Sequence, residues 1–104
     1  MEQSLGSTIR NLRKSKGLLI REVAAALSID AGLLSKIENN TRLPTRKHVK
    51  QFQQFYKDNS NEILLQYLSD KVAYELSEET LGVKALQLAE EKLKYQKNNT
   101  TKST

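Results

Sequence analysis

Apolar residues recur along the chain at intervals of three and four, the spacing that gathers side chains on one face of an α-helix. Leu5, Ile9 and Leu12 set a first helix from about Leu5 to Lys16, with Gly17 as its stop. Val23, Ala24 and Leu27 mark a second, from Ile20 to Leu27. After Ser28-Ile29, Asp30 can cap a third helix in which Leu34 and Ile37 share a face and Glu38 closes the segment. Asn39-Asn40-Thr41-Arg42-Leu43-Pro44 has the composition of a loop, and Thr45 can cap a fourth helix whose apolar positions are Val49, Phe52, Phe55 and Tyr56. Asp58-Asn59-Ser60-Asn61 makes the next break. Glu62 to about Leu76 reads as a fifth helix, and Ser77 can cap a sixth from about Glu78 to Gln96. Residues 98–104 carry no apolar side chain and are expected to be a disordered tail. With one proline and almost no alternating β-branched stretches, the chain is predicted to be all-α.

Charge divides this helical chain in two. Residues 1–57 hold 11 Lys/Arg against 4 Asp/Glu, or +7, whereas residues 58–104 hold 6 against 8, or −2. A basic half can gather around the phosphates of a nucleic acid; a near-neutral half needs something to pack on. Zero cysteines exclude a disulfide framework, thiolate metal ligands and thiol catalysis. A chain of 104 residues is long enough for a single core but not for a separate sensor domain. No run of about 18 apolar residues is present, and the opening residues lack the apolar stretch of a secretory signal, so a cytoplasmic protein without a membrane role is expected.

The stretch from Gly17 to Asn40 has the layout of two short helices meeting at a tight turn. Ala24 is small where the two must cross, Val23 and Leu27 face inward from one helix, and Ile29, Leu34 and Ile37 answer from the turn and the other. The outer face of the third helix is then left for a groove. Ile9-Arg10-x-Leu12-Arg13, Gly17-Leu18, Glu22-Val23-Ala24, Leu34-Ser35-Lys36-Ile37-Glu38-Asn39 and Arg42-x-Pro44-Thr45 together resemble the phage repressor and Cro (XRE-type) helix-turn-helix family. The resemblance covers about residues 5 to 68. It implies a five-helix repressor-like helix-turn-helix domain over residues 1–68, to which the apolar pattern adds an extra C-terminal helix within residues 69–97. It further implies a dimer acting on double-stranded DNA, a two-fold-symmetric operator, with the third helix in the major groove.

Carried over position by position, the resemblance makes Ala31, Gly32, Leu33, Ser35 and Lys36 the base-facing residues. Lys36 is suited to donate to guanine O6 or N7, and Ala31 and Leu33 to press on thymine methyls. Asn39, Thr41, Arg42, Arg46 and Lys47, in or just after the loop, are the expected phosphate contacts, while Arg10, Lys14 and Lys16 read as solvated. Arg13 and Glu38 would form a structural ion pair between the first helix and the end of the third. The chain departs from the family at three places. Leu19-Ile20 replaces the usual Thr-Gln at the start of the second helix, leaving only backbone amides for a phosphate there. Ser28 and Asn40 stand where glycines are usual, and serine tolerates a left-handed backbone less well than asparagine. His48 is expected at the surface.

In the second half, Ile63, Tyr67 and Tyr74 form one apolar strip of the fifth helix, with Leu64, Leu65, Leu68, Val72 and Leu76 spread around the rest. The sixth helix offers Leu81, Ala85, Leu86, Leu88, Ala89 and Leu93. Ile63, Tyr67, Tyr74, Leu81, Leu86, Leu88 and Leu93 are therefore the expected dimer interface, fold-back of the last helix on its own domain being the alternative. With one histidine and no phosphate-binding glycine pattern, neither an enzyme nor a cofactor or metal site is expected. The competing functional readings are an antitoxin or co-regulator whose C-terminal half binds a protein partner, and a restriction-modification controller protein.

Overall fold

Six α-helices follow one another in the computed structural model, which describes residues 4–102 and contains no strand among them. They are α1 (Leu5–Ser15), α2 (Ile20–Leu27), α3 (Ala31–Glu38), α4 (Arg46–Phe55), α5 (Glu62–Leu76) and α6 (Gly82–Lys102). The all-helical expectation holds. The chain divides into two units, Met1–Lys71 and Val72–Thr104.

The first unit is built on residues whose spacing foretold their burial. Leu5, Ile9, Val23, Ala24, Leu27, Leu34, Ile37, Val49, Phe52, Tyr56, Ile63 and Tyr67 form its core. The starts of α1, α3 and α4 are capped by the side chain of the residue before them. Ser4 and Ser7 exchange hydrogen bonds at α1, Asp30 accepts from the Leu33 amide at 3.0 Å, and Thr45 accepts from the His48 amide at 3.2 Å. Asp58 does the same for α5, its two oxygens accepting from the Glu62 and Ile63 amides at 3.0 and 2.8 Å. A longer-range cap comes from Asp70 on α5, whose carboxylate accepts from the Leu5 amide at 2.8 Å and ties the start of α1 to the end of the unit.

Two features of this unit lie beyond hydrophobic pattern. The first is the ion pair. Arg13 donates through Nε and Nη2 to the two carboxylate oxygens of Glu38 at 2.9 and 3.0 Å, and its Nη1 donates to the Leu18 carbonyl at 2.9 Å. Both residues are buried, at 9% and 4% exposure. The Glu38 hydrogen bond holds the Arg13 pKa above its ordinary value, against the opposing effect of burial. The second is the close approach of α1 to the end of α3. A Cβ on Gly6 would lie 2.5 Å from the Ile37 carbonyl oxygen, 2.7 Å from that of Glu38, and against Asn40 Oδ1. Only glycine lets the backbones meet there, and the gain is a bond: Asn40 Oδ1 accepts from the Gly6 amide at 3.1 Å.

Tyr56 caps α4 and packs edge-on against Phe55 with ring centroids 4.9 Å apart. It is 6% exposed, and its hydroxyl has no hydrogen-bond partner among the described residues. Burial, reinforced by the Glu38 charge, pushes its pKa up to about 12.

In the second unit the sixth helix begins later and runs further than its apolar pattern predicts. Ser77 does not cap it: its hydroxyl donates back to the Tyr74 carbonyl at 2.9 Å, residues 77–81 turn, and the first α6 bond is from the Ala85 amide to the Leu81 carbonyl at 2.8 Å. At the other end α6 continues to Lys102, through most of the segment expected to be disordered; residues 103–104 lie outside the described residues. Extending an existing helix fixes one residue per hydrogen bond gained, so polar residues add to its end without an apolar face of their own.

The Arg13–Glu38 pair should behave as a unit. Arg13→Met or Glu38→Met alone should cost about 3 to 5 kcal/mol by denaturant unfolding, since each strands a buried charge, while the double variant should recover most of that loss. Tyr56→Phe removes an unpartnered buried hydroxyl and should unfold at the same or a higher denaturant concentration than the parent. Because the phenol's pKa is raised in the fold, its stabilising contribution is complete below about pH 10 and lost as pH rises toward about 12. The stability difference between Tyr56→Phe and the parent should therefore widen over that interval in favour of the variant.

Candidate nucleic-acid interface

The framework just described fixes α3 from behind and leaves its front uncovered. Leu34, Ile37 and Glu38 face inward and are buried, whereas Ala31, Gly32 and Lys36 are exposed, and Leu33 and Ser35 are half-buried. Leu33 packs part of its side chain against the core, so it presents less to a partner than the sequence implies.

The turn that aims α3 is tight. The Ser28 and Ile29 amides bond the Ala25 and Ala24 carbonyls at 3.2 and 3.0 Å, and Ser28 itself is left-handed at φ 56°. A β-carbon in that region costs about 1 to 2 kcal/mol, which the packing of Ala24, Leu27 and Ile29 must offset. Asn40, at φ 63°, makes the corresponding left-handed turn after α3. It is better suited than serine, and its side chain is further held by the Gly6 amide.

Beyond Asn40 the chain folds back over the end of α3. The Thr41 amide and hydroxyl both donate to the Lys36 carbonyl, at 3.0 and 3.1 Å. Since a threonine hydroxyl has a single hydrogen to give, Thr41 acts in this structure as a staple of the loop and not as a free donor. Asn39, Arg42, Arg46 and Lys47 are exposed. Arg46 and Lys47 occupy the first turn of α4, which contains no acidic residue. Cations there oppose the positive end of the helix dipole, a placement that an anion lying across the turn would relieve. His48 is half-buried, and its Nδ1 accepts from the Thr45 amide at 3.4 Å.

At the start of α2, Leu19 is exposed and its amide donates to the Glu22 carboxylate at 2.8 Å. One of the amides expected to remain for a phosphate is thus already taken. Arg10, Lys14, Lys16 and Arg21 are exposed on α1, the turn after it and α2.

Of the seven residues expected at a dimer interface, Ile63 and Tyr67 are in the core of the first unit and are unavailable to a partner. These two positions of the strip join the apolar core of the first unit, whereas its third, Tyr74, does not. Tyr74, Leu81, Leu86, Leu88 and Leu93 are exposed, Tyr74 at 79%. Leu65 and Leu68, placed by the pattern on the remainder of the fifth helix, are exposed within the first unit at 61% and 41%. Asp70 and Gly6 were also missed; a carboxylate late in α5 and a glycine in the first turn of α1 give no sign in sequence that they meet other elements.

Comparison with known proteins agrees with this geometry. A family model described as a helix-turn-helix domain matches residues 6–69. No curated protein and no solved structure gives a match. The matched span begins at the glycine that seats α1 on α3 and ends within α5, taking in every element of the site. With more than half of its length matched, the chain belongs to the helix-turn-helix family of the XRE type, a family of DNA-binding domains.

Proposed function

We propose that the chain is a dimeric, sequence-specific regulator of transcription that lays α3 in the major groove of a two-fold-symmetric operator. The observation that carries this reading is the uncovered front of α3 with Arg42, Arg46 and Lys47 exposed immediately after it, two of them set against a helix dipole. Lys36 is the principal base reader and donates to guanine O6 or N7. Ala31 and the accessible part of Leu33 contact thymine methyls, Gly32 lets the backbone approach the base edges, and Ser35 takes a peripheral polar contact. Asn39, Arg42, Arg46 and Lys47 hold the phosphates.

Reading two half-sites requires two copies of α3 about 34 Å apart. Tyr74, Leu81, Leu86, Leu88 and Leu93, with Leu65 and Leu68, supply exposed apolar surface of the kind that calls for a second chain. No catalytic step or cofactor enters this reading.

Selection from a random duplex pool at two salt concentrations is the direct test. A two-fold-symmetric motif with half-sites about one helical turn apart is expected. Salt-sensitive retention with no motif would replace it with non-specific binding or specificity supplied by a partner protein. Within a recovered site, Lys36→Ala should relax one base pair per half-site at a cost of about 1 to 3 kcal/mol. Arg42→Ala should weaken all sequences alike and reduce the salt slope by about one. Identical behaviour of the two variants would overturn the division of roles. For the interface, Leu86→Glu combined with Leu93→Glu should halve the mass measured by sedimentation equilibrium. A dimer that survives both charges must be joined elsewhere.

A further inference from the structure

We infer that two copies of this chain join through α6 in antiparallel orientation, the start of one helix lying beside the end of the other. This deepens the dimeric reading proposed above, on which it rests, by giving the pair a direction. Residues 83–98 are all exposed, Val83, Leu86, Leu88, Leu93 and Tyr95 among them. A helix of 21 residues, about 31 Å long, thus holds its apolar side chains in water and calls for a cover. Ala85 and Ala89 run down the middle of its apolar band, with Leu86 and Leu93 on one flank and Leu88 and Tyr95 on the other. Small side chains in the middle let a second helix approach closely. An antiparallel crossing between Ala89 and Glu90 sets Leu86 of each copy against Leu93 of the other.

Charge selects both the occupant and its direction. Within the second unit, residues 72–91 hold 5 Asp/Glu against 1 Lys, or −4, whereas residues 92–104 hold 4 Lys and no acid, or +4. The helix dipole does not explain this division. Its influence falls off within the first and last turns, yet no acid lies in the first turn of α6, and Lys92, Lys94 and Lys97 all precede the last. Parallel copies would lay Glu78 and Glu79 beside their own counterparts, and the three lysines beside theirs. Antiparallel copies bring the acidic start of each to the basic end of the other, twice over by symmetry. A second copy therefore carries the complementary pattern automatically, and the parallel alternative is disfavoured by repulsion at both ends.

The tests use the full-length chain. Sedimentation equilibrium should show a dimer of the parent that weakens as salt rises. Glu78→Lys with Glu79→Lys, and separately Lys94→Glu with Lys97→Glu, set like charges together in an antiparallel pair, so each double variant should weaken the dimer about tenfold. Combining all four reverses the polarity and should restore the parent's dissociation constant to within about threefold. In a parallel pair each end still meets its own kind in every variant, and unchanged affinity throughout would overturn the inference. Because the chain has no cysteine, introduced thiols report direction independently. Thr80→Cys mixed with Gln96→Cys should be joined by a short bis-maleimide, and neither variant should be joined to its own copy. Self-joining of each variant, or a dimer joined in neither way, defeats the antiparallel pair while the dimer stands. A parent that stays monomeric removes the dimer and this inference together, leaving the reading of α3 to the DNA selection.

Discussion

A guanidinium and a carboxylate held out of water form the constraint on which the placement of α3 depends. Arg13 comes from the last turn of α1 and Glu38 from the last residue of α3, and the same guanidinium reaches the Leu18 carbonyl in the connection to α2. The end of α1, the connection after it and the distant end of α3 are thus held by one planar group that directs a hydrogen bond from each of its three nitrogens. Hydrophobic burial would accept many small rotations of α3 about its axis; a bidentate pair with fixed geometry accepts very few. The pair's net contribution to stability is small once desolvation is counted, so its value lies in which arrangement it selects.

That selection separates two requirements placed on one eight-residue helix. Leu34 and Ile37 anchor it, and the positions between them are released from packing. Around this economy the structure carries local costs: a left-handed serine before α3, an exposed leucine at the start of α2, cations at the positive end of α4. None lies in the core, and left-handed Lys57 and Asn61 add similar backbone costs between α4 and α5.

Much of this was legible in the chain. The helix boundaries of α2, α3 and α5 follow from apolar spacing and capping residues, and the resemblance to a known motif named the Arg13–Glu38 pair that the structure contains. What escaped were facts of tertiary geometry. Period alone could not tell which of two apolar strips on α5 turns inward, because both contain large side chains; Ile63 and Tyr67 went to the core and Leu65 and Leu68 did not. The start of α6 was displaced because Ser77, a good cap in principle, bonds backward to the Tyr74 carbonyl. In each case the residue type was right for the role, and a competing partner decided its use.

The loop after α3 carries a thermodynamic consequence. Its backbone is pinned where the Asn40 and Thr41 amides donate to the Ile37 and Lys36 carbonyls, and the Asn40 side chain is held by the Gly6 amide, so the conformational entropy of ordering it is lost when the chain folds. A ligand arriving at this surface meets a rigid receptor at these positions and need not order the loop itself. Association here would be governed by charge and ion displacement, with a heat-capacity change close to that of rigid docking and well below that of coupled folding and binding.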